Sequence, residues 1–332
     1  MTLHHRFAPD ARRARALDHA MHRALAESLM HIVERCRGRG IEIDEAALVR
    51  VADGIRTGAR HLPPTFGLYY EAAGALLDGR NDEAETLLAA LARERPIDPA
   101  SDGLRMVALG EPALAAHTER YQRIMGSDPT SSFPFLPPRP DTAAAFRARF
   151  QRGFALLERA IPELAAEIRA IVSEVILTVG TPARGYTFDG GSSYQLWGGL
   201  FLNAESHETD VAIIELLAHE GAHNLLFGFT IDELLVENPT DERFDSPLRR
   251  DPRPMDGIYH ATFVSARMHW AMSRLLDASV LDGAATAAAR KARATDHENF
   301  EKGFDVVARH GRLTPTGTAL MDGARAYMDG VG

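Results

Sequence analysis

From residue 8 to residue 93 apolar positions recur with the period of a helix. Alanine and leucine dominate, aromatic residues are few, and segments 11–36 and 81–92 repeat apolar residues three and four apart. Pro63-Pro64 breaks this pattern between two of the expected helices. Residues 94–103, with Pro96 and Pro99, read as a loop. Residues 127–141 (SDPTSSFPFLPPRPD) contain five prolines and no periodicity, and so read as a linker. Helical spacing returns over 142–170, where Pro162 marks a break or a new start. The β-branched run IVSEVILTV at 171–179 predicts a strand. Residues 186–203, with glycine pairs at 190–191 and 198–199, predict two short strands joined by glycine turns or bulges. An apolar helix-period run at 211–229 follows, then a polar loop over 237–256. Three further helices are expected near 257–278, 283–310 and 316–328. The expected fold class is mostly α with a small β-sheet (α+β). A helical N-terminal region (1–126) and a Pro-rich linker (127–141) precede a domain at 142–332.

The candidate chemistry lies in the 211–229 helix, which contains His219-Glu220-Gly221-Ala222-His223. This is H-E-x-x-H. Positions i and i+4 share one helix face, so His219 and His223 can grip one metal ion from the same side. Glu220, one residue round the turn, can reach a metal-bound water. Ile213, Ile214, Leu217, Leu225 and Leu226 frame the motif, and no proline falls between Asp210 and Asn238. The plain alternative is two core histidines on an amphipathic helix. The order helix, strands, metal helix, second helix is that of zincin-like catalytic domains, so 142–332 is expected to be zincin-like.

Composition narrows the function classes. A chain of 332 residues that is 45% hydrophobic and 25% charged is globular, with length for one large domain or two ordinary ones. The formal net charge of −9 argues against a general nucleic-acid binder. No apolar stretch approaches the ~20 residues of a membrane span. The start is arginine-rich but lacks an apolar signal core, so a cytoplasmic protein is expected. The single Cys36 excludes an internal disulfide framework and a cysteine-based zinc site.

A catalytic metal usually has three protein ligands and an open position. The extended H-E-x-x-H-x-x-G-x-x-H form is excluded, because Leu226 and Phe229 stand where Gly and His are needed. Glu233, Glu237 and Glu242 could supply a glutamate. The better candidate is His260, which opens a helix carrying Ile258, Phe263, Val264 and Met268. Between the two helices runs Ser246-Pro247-Leu248-Arg249-Arg250-Asp251-Pro252-Arg253-Pro254. Its prolines stiffen a segment bearing three arginines. One reading is an exposed, charge-balanced loop with Asp245 and Asp251 as partners, Asp251 pairing with its neighbour Arg250. The other is a rigid mount for a guanidinium fork that holds a carboxylate. Tyr194, Trp197, Phe201 and Tyr259 are candidates to line a water-poor pocket.

The HExxH helix, the stretch SPLRRDPRPMDGIYHATFVSARM at 246–268 and the late element LTPTGTALM at 313–321 resemble the α-ketoglutarate-HExxH type of peptide β-hydroxylase. Such proteins occur beside ribosomally made, post-translationally modified peptides. The resemblance covers roughly residues 170–325. It implies an Fe(II)- and 2-oxoglutarate-dependent oxygenase on a zincin-like frame, hydroxylating a side-chain β-carbon of a precursor peptide. His219, His223 and His260 match its metal positions, and Arg249 and Arg253 match the arginines of its S-P-x-R-x-D-P-R-P pattern. Non-haem iron oxygenases generally use two histidines and a carboxylate, so Glu242, Asp245 or Asp256 stays open as a ligand. The alternative function is a zinc-dependent metallopeptidase with Glu220 as general base. Neither reading sets the oligomeric state.

Overall fold

The computed structural model describes residues 5–98, 104–127, 135–180, 188–249 and 251–331. These form α1 (Ala11–Cys36), α2 (Glu45–Arg56), α3 (Pro63–Leu77), α4 (Asn81–Leu91), β1 (Arg105–Ala108), α5 (Thr118–Met125), β2 (Phe135–Leu136), α6 (Pro140–Ala160) and α7 (Pro162–Ile171). There follow β3 (Glu174–Gly180), β4 (Gly190–Gly191), β5 (Gly199–Asn203), α8 (Asp210–Phe229), α9 (Met255–Asp277), α10 (Gly283–His310) and α11 (Pro315–Asp329). The protein is mostly helical with one small mixed sheet, an α+β composition. No described helix is long and apolar enough to cross a membrane.

Pro63 and Pro64 begin α3 rather than merely interrupting the chain. They occupy its first turn, where a missing N–H leaves no intrahelical bond unmade. Pro162 opens α7 in the same way. The strand predicted at 171–179 begins later, at Glu174, because Ile171 closes α7. The strand β1 lies inside the N-terminal region 1–126, for which no strand was expected. Four residues carry too little pattern to signal a strand, and pairing with β3 creates it. Of the expected linker, residues 128–134 lie outside the described residues, while Phe135–Leu136 pairs antiparallel with β3 and Pro140 opens α6.

The chain forms two compact units, each discontinuous in sequence. One comprises Met1–Leu17, Ala144–Ile171 and Glu205–Gly332; the other comprises Asp18–Ala143 and Val172–Ala204. This differs from the linear division expected at 127–141. The sheet explains the difference. Its order is β1-β3-β5-β4, with β1, β3 and β5 parallel, so residues 172–204 join the unit that holds β1.

In the sheet unit, Phe201 packs edge-on against Tyr121, and Phe135 against Phe188. Glu174 is fully buried at the start of β3. It accepts a hydrogen bond from the Tyr121 hydroxyl and lies 3.1 Å from Arg105. Trp197 donates from Nε1 to Asp18 Oδ1 at 3.0 Å, and Arg60 reaches the other oxygen at 2.7 Å.

The other unit is helical. Glu167 on α7 is buried between Arg13 and Arg267 and also accepts the backbone N–H of Asp10, which ties the N-terminal segment onto α7 and α9. Two cations around one buried carboxylate satisfy charges that would otherwise be costly to desolvate. The helices α9 and α10 approach closely at Gly303. A Cβ there would stand 2.2 Å from Thr262 Oγ1 and 3.0 Å from Pro247, so glycine lets both α9 and the loop before it seat on α10. Thr314 caps α11, its hydroxyl accepting from Gly317 N and donating to the Leu234 carbonyl at 2.7 Å. Tyr259 on α9 donates to the Gly317 carbonyl at 2.8 Å. The element LTPTGTALM thereby anchors both the segment after α8 and the N-terminal part of α9.

Candidate metal centre

The helix α8 begins at Thr209, whose side chain accepts from Ala212 N, and it buries its apolar frame on both sides of the motif. His219 and His223 therefore emerge on one face, with Nε2 atoms 3.1 Å apart. That spacing is what two ligands of one ion at ~2.1 Å from each nitrogen would give. Glu220 is buried, its Oε1 3.9 Å from His219 Nε2. His260, on the second turn of α9, is brought to the same place: its Nδ1 lies 2.9 Å from Nδ1 of His223. Phe227 covers the rings, with centroids 6.4 Å from His223 and 5.4 Å from His260.

The three histidines gather, but they do not point one nitrogen each at a common centre. His223 turns Nε2 to His219 and Nδ1 to His260, on opposite edges of its ring. Among the described residues, no group of three or more His, Cys, Asp or Glu converges on one ion position. The donor set thus fits two ligands of a metal and leaves the third position unassigned. Glu233 accepts from Thr316 N and caps α11, while Glu242 binds Asn238 and Arg312. Glu237 and Asp245 are exposed. Asp256 lies 4.0 Å from His260 Nε2, the side of that ring facing away from His223.

Burial sets the protonation of the cluster. It lowers His219 to about 4, aided by the nearby charge of His207, although the side chain keeps 26% exposure. Burial also holds His223 well below its ordinary value, with His219 and His260 adding to the effect. His260 is lowered by burial against the opposing pull of Asp256. All three are neutral imidazoles near pH 7, the form that ligates metal.

The arginine loop is closed by reciprocal backbone bonds between Phe244 and Arg253, both 2.8 Å. Ser246 Oγ accepts from Leu248 N and Arg249 N. Asp251 takes Arg249 Nε at 3.0 Å on one oxygen and Arg253 Nη1 at 3.5 Å on the other. The expected Arg250 pairing falls on a residue outside the described set. Arg253 lies against Gly257 on α9, where a Cβ would stand 3.4 Å from Arg253 Cβ and 3.7 Å from its Nε, ordinary contact distances. Gly257 and His260 are three residues apart and share a helix face.

The aromatic candidates do other work. Trp197, Phe201 and Tyr259 are fully buried in packing, and Tyr194 meets Tyr70 edge-on. Two groups near the motif escaped the sequence reading. His207, at φ 61°, acts electrostatically on His219. Glu215 lies one turn before His219 on the same face, a spacing the sequence does display.

Burial raises Glu215, and on α10 burial together with the Glu215 charge pushes Asp296 up to about 8. Asp296 is 1% exposed, and its Oδ2 lacks a hydrogen-bond partner among the described residues. It stays protonated in the fold at neutral pH, whereas in the unfolded chain it ionises above its ordinary value of 3.8. Stability is therefore lost as pH rises from 3.8 towards 8. Asp296→Asn should gain stability that grows across that window, to about 2 kcal/mol at pH 8. The full linkage value is not reached, because Asn is itself a buried polar group. Urea unfolding at pH 4.5 and pH 8 checks this, and an equal offset at both pH values contradicts it.

No protein-family model matches this chain, and no curated protein matches it.

Proposed function

We propose that the protein is an Fe(II)- and 2-oxoglutarate-dependent oxygenase of the α-ketoglutarate-HExxH type, with a zincin-like catalytic domain, hydroxylating a side-chain β-carbon of a ribosomally made peptide. The observation that carries this reading is the seating of Arg253 on Gly257, one turn before His260 on the same face of α9. Arg253 thus lies against the same helix as His260, and a guanidinium there would suit a dicarboxylate cosubstrate that must reach metal and arginine together. A hydrolase acting on a peptide bond has no comparable need.

His219 and His223 would hold the iron, with His260 or a carboxylate such as Asp256 as the further ligand. Bound iron supplies activation of O₂ coupled to oxidative decarboxylation of the keto acid. The chain's own residues supply the rest. Burial keeps the imidazoles neutral. Phe227 keeps water from two of the rings. Arg249 and Arg253 orient the distal carboxylate by charge-assisted bonds. Glu220, its Oε1 3.9 Å from His219 Nε2, would lie within reach of a water on the metal.

The same position of Glu220 favours a second reading, a zinc peptidase in which it is the general base. Metal-free protein reloaded separately with Fe(II) and with Zn(II) decides between them. The oxygenase releases succinate from 2-oxoglutarate in air with iron alone. Zinc-dependent peptide cleavage without succinate overturns that assignment.

A further inference from the structure

A neutral imidazole has two ring nitrogens on different edges and one proton to place between them. When one nitrogen binds a metal, the proton sits on the other, which then donates a hydrogen bond. In His223 the two nitrogens have different partners. Nε2 lies 3.1 Å from Nε2 of His219, and Nδ1 lies 2.9 Å from Nδ1 of His260. The first separation suits two ligands of one ion. The second is a ring hydrogen bond, in which one nitrogen donates and the other accepts. The rings of His223 and His260 are 17° from parallel with centroids 5.2 Å apart, so the facing nitrogens meet edge to edge.

The two contacts are coupled through the ring. A His223 that gives Nε2 to the metal carries its proton on Nδ1 and donates it to His260. His260 must then accept on Nδ1, and its own proton is on Nε2, the edge that Asp256 Oδ1 faces at 4.0 Å. Both nitrogens of His260 are thereby used, and neither has a lone pair for the ion. Packing holds this orientation: His260 is buried, and the Phe227 ring lies 5.4 Å from it.

We infer that His260 is a positioning residue of the metal centre rather than a ligand: it accepts the Nδ1–H of His223 and so aims Nε2 of His223 at the ion. The inference rests on the metal centre proposed above, for iron and zinc alike. It departs from the three-histidine set that the resemblance implies. Two histidines on the metal agree with the usual set of non-haem iron, which a carboxylate completes.

The test counts imidazoles on the metal. In the full-length protein loaded with Co(II), each bound imidazole gives one hyperfine-shifted, exchangeable N–H signal in the proton NMR spectrum. Two signals are expected in the wild type, one of them slow to exchange with solvent. His260→Ala should keep both, with the slow one now fast. Its Co(II) dissociation constant should rise about 10- to 100-fold, the loss typical of a residue that orients a ligand. His260→Asn places a carbonyl oxygen where Nδ1 stood, so it should restore both slow exchange and affinity. Three shifted signals in the wild type, one of them lost in His260→Ala, overturn the inference. Unchanged exchange and affinity in His260→Ala overturn it too, as does an Asn variant no better than Ala. A wild type that binds Co(II) with no shifted N–H signal removes the metal centre itself.

Discussion

His219→Ala and His223→Ala should each abolish stoichiometric metal binding while leaving the fold intact. The two Nε2 atoms, 3.1 Å apart on one face of α8, are spaced as a ligand pair. Loss of residues that merely orient ligands costs 10–100-fold in metal affinity, so loss of a ligand should exceed about 100-fold. The fold should survive, because α8 is held by its Thr209 cap and by the apolar residues flanking the motif. Elemental analysis after dialysis, beside thermal unfolding, gives the answer. Tight retention of metal by both variants excludes this site. His260→Ala separates the remaining alternatives. A strong loss makes His260 a ligand, and an unchanged affinity passes the third position to a carboxylate, with Asp256 the first to test.

The second large effect is expected at Arg253. A charge-assisted hydrogen bond contributes roughly 1.5–3 kcal/mol, and lysine keeps the charge but loses the planar fork. Arg253→Lys should therefore raise the 2-oxoglutarate requirement about 10- to 150-fold, at roughly 1.4 kcal/mol per decade. Iron affinity should barely change. Arg253 is the better choice of the pair because it is the more sheltered and lies against α9 beside Gly257. Arg249→Lys should act in the same direction with a smaller effect. Succinate formation measured against cosubstrate concentration checks both. If neither substitution moves it, the loop is a charged connector balanced by Asp251.

Long helices are written in the sequence because their periodicity is redundant: α1, α9, α10 and α11 repeat their apolar face over several turns. The histidine cluster is readable for a related reason. Positions 219 and 223 meet by helix geometry alone, and His260 is flagged by the peculiar loop before it. Features made by partners distant in the chain are not readable in this way. The strand β1 is four residues long and exists through β3. The interleaving of the two units follows from that same parallel pairing, which no local pattern encodes. Asp251 has arginine neighbours at 249, 250 and 253, and its contacts to Arg249 and Arg253 come from the fold of the loop rather than from any local pattern. Trp197 and Phe201 read equally well as pocket lining or core, and packing against distant residues decides for core. Asp296 looks like any polar position on an amphipathic helix until burial beside Glu215 marks it out.

The central claim is that one site joins the α8 histidines to the arginine loop through a shared dicarboxylate. An anaerobic crystal structure of the protein with Fe(II) and 2-oxoglutarate tests it most directly. The account predicts iron on His219 and His223, the keto acid bound to that iron, and the distal carboxylate on Arg253 with Arg249. Iron elsewhere, or a keto acid whose distal carboxylate touches neither arginine, would contradict it.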